Sequence, residues 1–170
     1  MTVPWADIET CSEGFVLGVS RWRSLDPAQV AQFVQASGNF QFVHSDPERT
    51  AREGPFGDAV AHGYLWLSMA PGLLADRITL PGEAIVVNCG LEKLRLAAPV
   101  RAGERFRGGF AMTGENRMEA TLTILKVRGS IEVESAARTA VVAELLIARV
   151  EFRTGPDASV RRSPSGARRE

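Results

Sequence analysis

Between Asp58 and Asp76 the chain runs from Ala59 to Ala75, seventeen residues, without a formal charge. A membrane span needs about 20 predominantly apolar residues. This run is shorter, holds His62, Ser68, Pro71 and Gly72, and no second run follows it. A segment apolar on every face is then the buried central helix of a globular domain, and a membrane role is set aside. Before it, Phe15 to Arg23 alternates in part, with Phe15, Leu17 and Val19 on one face, and predicts a strand. Ser24 stands where an N-cap belongs, with Asp26-Pro27 in the first helical turn. Val30, Phe33 and Val34 form the apolar stripe of that helix, which should end near Ser37-Gly38. From Asn39 to Gly57 the chain is dense in polar, Pro and Gly residues, and Asp46-Pro47-Glu48 opens a short helical turn.

After Pro81-Gly82 the period of the pattern changes. Ala84 to Leu96 is rich in β-branched and aliphatic residues, and Ala98-Pro99-Val100 with Ala102-Gly103 marks a connection. Glu104 to Thr113 alternates, with Arg105 and Arg107 opposite Phe106, and Gly114-Glu115-Asn116 reads as a turn. Ala120, Leu122 and Ile124 alternate with Thr121 and Thr123, and Thr139 to Phe152 completes the strands. The fold class is α+β: one strand, helices, then antiparallel strands around a buried helix. Residues 1–153 form one domain. From Thr154 to Glu170 there is Arg, Ser, Pro, Gly and Ala without apolar periodicity, and this tail is expected to be disordered.

Composition narrows the function classes only in part. The chain has 170 residues, 20 basic and 20 acidic, so its formal net charge is zero. That argues against a nucleic-acid partner held by bulk electrostatics. Two cysteines, Cys11 and Cys89, stand far apart with no signal-peptide pattern before them. A disulfide scaffold and a cysteine-based zinc site are therefore not expected; no metal or cofactor is called for, and a reducing cytoplasm fits.

Only two histidines are present, His44 and His62. Glycine at the start of a buried helix, as in His62-Gly63-Tyr64, lets a ligand approach free backbone N–H groups, whose dipoles favour developing negative charge. A loop histidine beside such donors supplies proton transfer and an oxyanion pocket together. The same residues also suit a capping histidine and a glycine required by packing.

The motifs around them resemble a known family. Ala36-Ser37-Gly38-Asn39-Phe40-Gln41-Phe42-Val43-His44 is similar to the hydratase signature of MaoC-like proteins, with Ser45-Asp46-Pro47-Glu48 at its Asp-Pro-Glu turn. Ala61-His62-Gly63-Tyr64-Leu65 resembles the Ala-His-Gly-x-Leu segment. Val87-Asn88-Cys89-Gly90-Leu91-Glu92-Lys93-Leu94-Arg95-Leu96-Ala97-Ala98-Pro99-Val100 resembles the Asn-Tyr-Gly-Leu-x-Lys-Val-Arg-Phe-x-x-Pro-Val run of the nodulation-protein-N-like branch.

The resemblance implies a hot-dog fold, a curved antiparallel sheet wrapped around one long helix. It implies (R)-specific hydration of enoyl thioesters of coenzyme A or acyl carrier protein, or the reverse dehydration of 3-hydroxyacyl thioesters. His44 takes the acid/base role and Gly63 the oxyanion N–H, while Gln41, Phe42, His62 and Tyr64 surround the substrate. His62 supports the turn at Gly63, and Tyr64 lines the pocket or packs at the interface of the homodimer that the family forms. One departure stands out: Asn39 occupies the place of the family's catalytic Asp. A neutral amide orients water but accepts no proton from it. The substitution fits an inactivated form, a divergent enzyme relying on His44, or a binding module that keeps the pocket without turnover. Thioesterase activity is a further alternative, and it too wants a carboxylate near the carbonyl. Cys89, in place of the family's Tyr, reads as a small core residue rather than a nucleophile. Arg95, Arg105 and Arg107 read as solvated strand faces, with a phosphate-binding rim as the sharper alternative.

Overall fold

The computed structural model describes residues 1–82, 84–119, 122–135 and 139–151. The stretch from Thr154 to Glu170, expected to be a disordered tail, lies outside the described residues. In chain order the elements are β1 (Val3–Pro4), α1 (Trp5–Ile8), β2 (Val16–Val19), β3 (Arg23–Ser24), α2 (Pro27–Ser37), α3 (Phe42–Ser45) and α4 (Pro47–Glu53). They continue with α5 (Gly63–Leu74), β4 (Ile78–Thr79), β5 (Ala84–Leu96), β6 (Arg105–Glu119), β7 (Leu122–Val133) and β8 (Thr139–Glu151). The long strands pair antiparallel in the order β2-β6-β7-β8-β5, with β3 also on β6. The fold is α+β, a curved antiparallel sheet around α5.

Burial explains why α5 sits where it does. Leu65, Trp66, Ala70, Leu73 and Leu74 are buried, and the Trp66 indole meets the Phe106 ring edge-on, centroids 4.5 Å apart. Leu73, Phe106 and Val127 have no exposed surface at all. Large apolar side chains shared between one helix and one sheet face make burial the dominant favourable term.

Four expectations need correction. The helix starts at Gly63, not Ala59, because Val60 and Ala61 are drawn into backbone pairing: Val60 N–H donates to Val43 and Ala61 N–H to Val100. Nor is α5 buried all round, since its outward side leaves Tyr64, Ser68, Gly72 and Ala75 exposed. The N-cap of α2 is Asp26, not Ser24, because Pro27 lacks an N–H and so belongs at the first helical position. Asp26 Oδ1 accepts from Ala28 N–H at 2.7 Å, and Gln29 Oε1 accepts from Asp26 N–H at 3.1 Å, a reciprocal cap typically worth about 1 kcal/mol. Finally, Gly114-Glu115-Asn116 is not a turn: β6 continues to Glu119, and Gly114, at φ 147°, lies at a bulge in its pairing with β7. Glycine marks a bulge as readily as a turn. The short parallel pair β1–β4 and the helix α1 had no signal in the pattern.

At the other end of the sheet, β5 is an edge strand carrying the exposed side chains Ile85, Val87, Leu91 and Leu96. Arg105 and Arg107 form cross-strand ion pairs with Glu134 and Glu132 and lie over the Trp22 ring. Among the described residues no helix is long and apolar enough to cross a membrane.

Candidate active site

The loop bearing the first histidine begins at a forced bend. Gly38 ends α2 in the left-handed region, φ 66°, with its N–H on the Val34 carbonyl; a side chain is disfavoured there. Asn39 follows, and its side-chain oxygen accepts weakly from Gln41 N–H at 3.4 Å. His44 then sits on α3, a single helical turn too short to be stable alone. The wholly buried Thr50 of α4 secures it, its hydroxyl shared between the carbonyls of Phe42 at 2.9 Å and Asp46 at 2.7 Å. The Asp46 carboxylate in turn caps α4 by accepting from Arg49 N–H at 2.9 Å.

A second segment comes up against this turn. His44 Nδ1 lies 2.7 Å from the Val60 carbonyl. A carbonyl only accepts, so Nδ1 carries the proton and neutral His44 has its lone pair at Nε2. The same logic applies to His62, whose Nε2 donates to the Asn39 carbonyl at 3.2 Å. That leaves His62 Nδ1 as a buried lone pair without a partner among the described residues. The two imidazoles stack with centroids 3.7 Å apart, and Phe33 meets the His62 ring at 5.3 Å. Thus His62 touches both loop residues, Asn39 through its carbonyl and His44 through its ring.

Immediately after His62 the helix α5 begins. Among the described residues no acceptor engages the N–H groups of Gly63 or Tyr64, as expected of a first helical turn. A Cβ at Gly63 would collide with the Leu96 side chain of β5, so only glycine fits without displacing Leu96. Gly63, His44, Trp66 and Leu96 line one cavity of about 300 Å³. His44 also walls a second cavity, about 410 Å³, bounded by Val30 and Val34 of α2.

The residues expected at the site fall into four groups. His44 and Gly63 share the cavity; Asn39 and His62 are joined by their hydrogen bond and are not among its lining residues. Tyr64 is largely exposed and lines the neighbouring groove with Leu67, Ser68 and Leu91. Gln41 is exposed and Phe42 lies under the Arg49 guanidinium, 4.4 Å from its ring, and neither is among the residues lining these two cavities. Thr50 and Val60, which set His44, escaped the sequence reading because their contributions are a hydroxyl on two carbonyls and a backbone oxygen.

Burial pushes His62 below the usual imidazole range, and the nearby His44 adds to that shift. As pH falls, the unfolded chain therefore takes up this proton before the folded one does. Stability from a neutral His62 is complete above the unfolded value of about 6.5 and declines as pH drops through the lower folded value. Urea unfolding at pH 7 and pH 5 should show a smaller acid loss for His62→Phe than for the unmodified chain. Equal losses would mean that His62 is not held neutral.

The MaoC like domain family model matches residues 12–149. The 3-hydroxyacyl-thioester dehydratase Z of Mycobacterium tuberculosis (strain ATCC 25618 / H37Rv) is 36% identical over 134 residues, covering 79% of this chain and 88% of that protein. Nodulation protein N of Rhizobium meliloti (strain 1021) is 31% identical over 131 residues, 76% of this chain and 81% of that one. Among solved structures, the (R)-hydratase from A. caviae involved in PHA biosynthesis superposes with a TM-score of 0.61 at 25% identity, covering 82% of this chain and 97% of that chain.

Proposed function

Because the chain belongs to the MaoC like domain family, we propose that it is a hot-dog hydro-lyase acting on the double bond of enoyl thioesters and, in reverse, on 3-hydroxyacyl thioesters, with (R) stereochemistry. One observation carries this reading: His44, whose Nδ1 is tied to the Val60 carbonyl, and Gly63, whose N–H has no acceptor among the described residues, line one cavity. In hydration, the water oxygen bonds to C3 while His44 Nε2 takes the water proton. Electrons of the double bond move to the thioester oxygen, where the Gly63 N–H and the N-terminal dipole of α5 stabilise the enolate. The enolate collapses as His44 returns the proton to C2, so the enzyme ends unchanged. Asn39, on the loop before His44 but not among the residues lining the cavity, offers a neutral amide that takes no proton, which makes this version of the site slow. Dehydration is the same sequence reversed, and no cofactor enters it.

The acyl group arrives on coenzyme A or a carrier protein, and two copies of the chain pair along β5. The motive for the pairing is an exposed edge of thirteen residues bearing Ile85, Val87, Leu91 and Leu96, an arrangement that natural proteins seldom leave uncovered. The neutral Asn39 also favours a second reading, an acyl-thioester-binding module without turnover. Hydration of crotonyl-CoA by the chain and by Asn39→Asp, with chiral analysis of the product, separates them. (R)-3-hydroxybutanoyl-CoA from either protein supports the hydro-lyase, and no product from both overturns it.

A further inference from the structure

His62 takes no part in the proton transfers, and it lines neither of the two cavities that His44 walls. It is buried, and its Nδ1 has no hydrogen-bond partner among the described residues, which is unfavourable for a polar nitrogen taken out of water. A phenyl ring would fill nearly the same space without that loss. What the imidazole has and a phenyl lacks is a donor on its edge, and the Asn39 carbonyl accepts from it at 3.2 Å. What the amide of Asn or Gln lacks is the flat ring, and His44 stacks on that ring with centroids 3.7 Å apart and planes 29° apart. Phe33 of α2 packs on the same ring at 5.3 Å.

The tie at Val60 does not by itself aim His44. A hydrogen bond from Nδ1 to one carbonyl fixes a point on the ring and leaves its plane free to swing about the bond. The stack with His62 removes that freedom, so the two contacts together fix where Nε2 points. The single turn of α3 is too short to supply the second restraint. His62 is also the N-cap of α5: its carbonyl accepts from Leu65 N–H at 3.0 Å and Trp66 N–H at 3.4 Å, and Gly63 follows it directly. One residue therefore joins three parts of the site, its ring face on His44, its ring edge on the main chain of Asn39 and its backbone on Gly63.

We propose that His62 is a positioning residue, which aims the His44 imidazole and fixes its place relative to the Gly63 N–H without touching the substrate. Its effect on rate rests on the hydro-lyase reading; its effect on the His44 ring does not. Misplacing a reacting group by about 1 Å lowers the rate about 10²-fold. Losing the stack therefore acts on kcat, and KM stays nearly constant because no contact with the thioester is removed.

Only two histidines are present, so nitrogen-15 labelling of histidine lets magnetic resonance read each ring separately. In the unmodified full chain at about pH 8, His44 should carry its proton on Nδ1 and His62 on Nε2; any other pair of tautomers overturns the proposal. His62→Gln keeps a donor for the Asn39 carbonyl and loses the ring. In that variant His44 should exchange between both tautomers, and kcat on crotonyl-CoA should fall about 10²-fold with KM within about twofold. His62→Phe keeps the ring, so His44 should hold its Nδ1 proton and kcat should fall less. A His62→Gln chain whose His44 keeps a single tautomer, or whose kcat is unchanged while the tautomers mix, overturns the proposal. If circular dichroism shows His62→Gln unfolded, His62→Phe decides, and loss of the Nδ1-protonated form there overturns it equally. If the tautomers behave as expected and no protein forms product, the positioning of His44 stands and the hydro-lyase reading falls.

Discussion

Asn39→Asp is expected to raise kcat for crotonyl-CoA hydration by about 10²–10⁴-fold, the usual contribution of a positioned acid/base group. The substitution changes charge and proton affinity with almost no change in shape. The backbone at position 39 is already held, because His62 Nε2 donates to its carbonyl and Gly38 fixes the bend before it. The side-chain oxygen that faces Gln41 N–H at 3.4 Å is an acceptor in Asn and in Asp alike. What the new carboxylate adds is a second proton acceptor on the same loop as His44. Its place just beyond the C-terminus of α2 sets it near the negative end of that helix. That proximity costs up to about 1 kcal/mol of stability and raises the carboxyl's proton affinity, which suits a base. Steady-state kinetics on the two proteins, with thermal unfolding to show that both are folded, decide the point. An unmodified chain that already turns over rapidly, or an Asp variant no faster, would remove Asn39 from the water-activating role.

The elements that were legible in the sequence are those whose signal is local. Val30 and Val34 with Gly38 at the end announce α2, because one side chain stripe and one left-handed residue define a helix and its stop. The apolar stretch from Thr139 to Phe152, alternating at its end, announces β8, which is described as Thr139–Glu151. The failures came where a tertiary partner decides. Ala59 to His62 carries no charge and looks helical, yet Val43 and Val100 supply carbonyls that Val60 and Ala61 take instead. Gly114 looks like a turn, yet the neighbouring strand carries β6 through it. At the site the spacing led to His44, His62 and Gly63, whereas the way they meet was not in the spacing. The stack of the two rings, the Nδ1 bond to Val60 and the closeness of Leu96 to Gly63 join segments up to 33 positions apart, read directly from the residue numbers.

His44→Gln is expected to lower kcat by about 10²–10⁴-fold, and its larger lesson is coupling with position 39. Glutamine retains an N–H group to offer the Val60 carbonyl, so the tie between α3 and the segment before α5 can survive. It has no basic nitrogen to take a proton from water and return it to C2. Packing against His62 is weakened, because a flat amide covers less of that ring than the stacked imidazole does. Thermal unfolding should therefore fall modestly while activity collapses. If His44 and residue 39 act on one water, their effects cannot add, since each works only when the other has placed that water. The double variant Asn39→Asp/His44→Gln should then gain far less over His44→Gln than Asn39→Asp gains over the unmodified chain. A full, independent gain in the double variant would mean that the carboxylate works alone and that His44 serves the fold of the loop instead. An unchanged KM with lowered kcat is the expected signature of a group acting in the transition state. A raised KM at constant kcat would reassign His44 to holding the thioester.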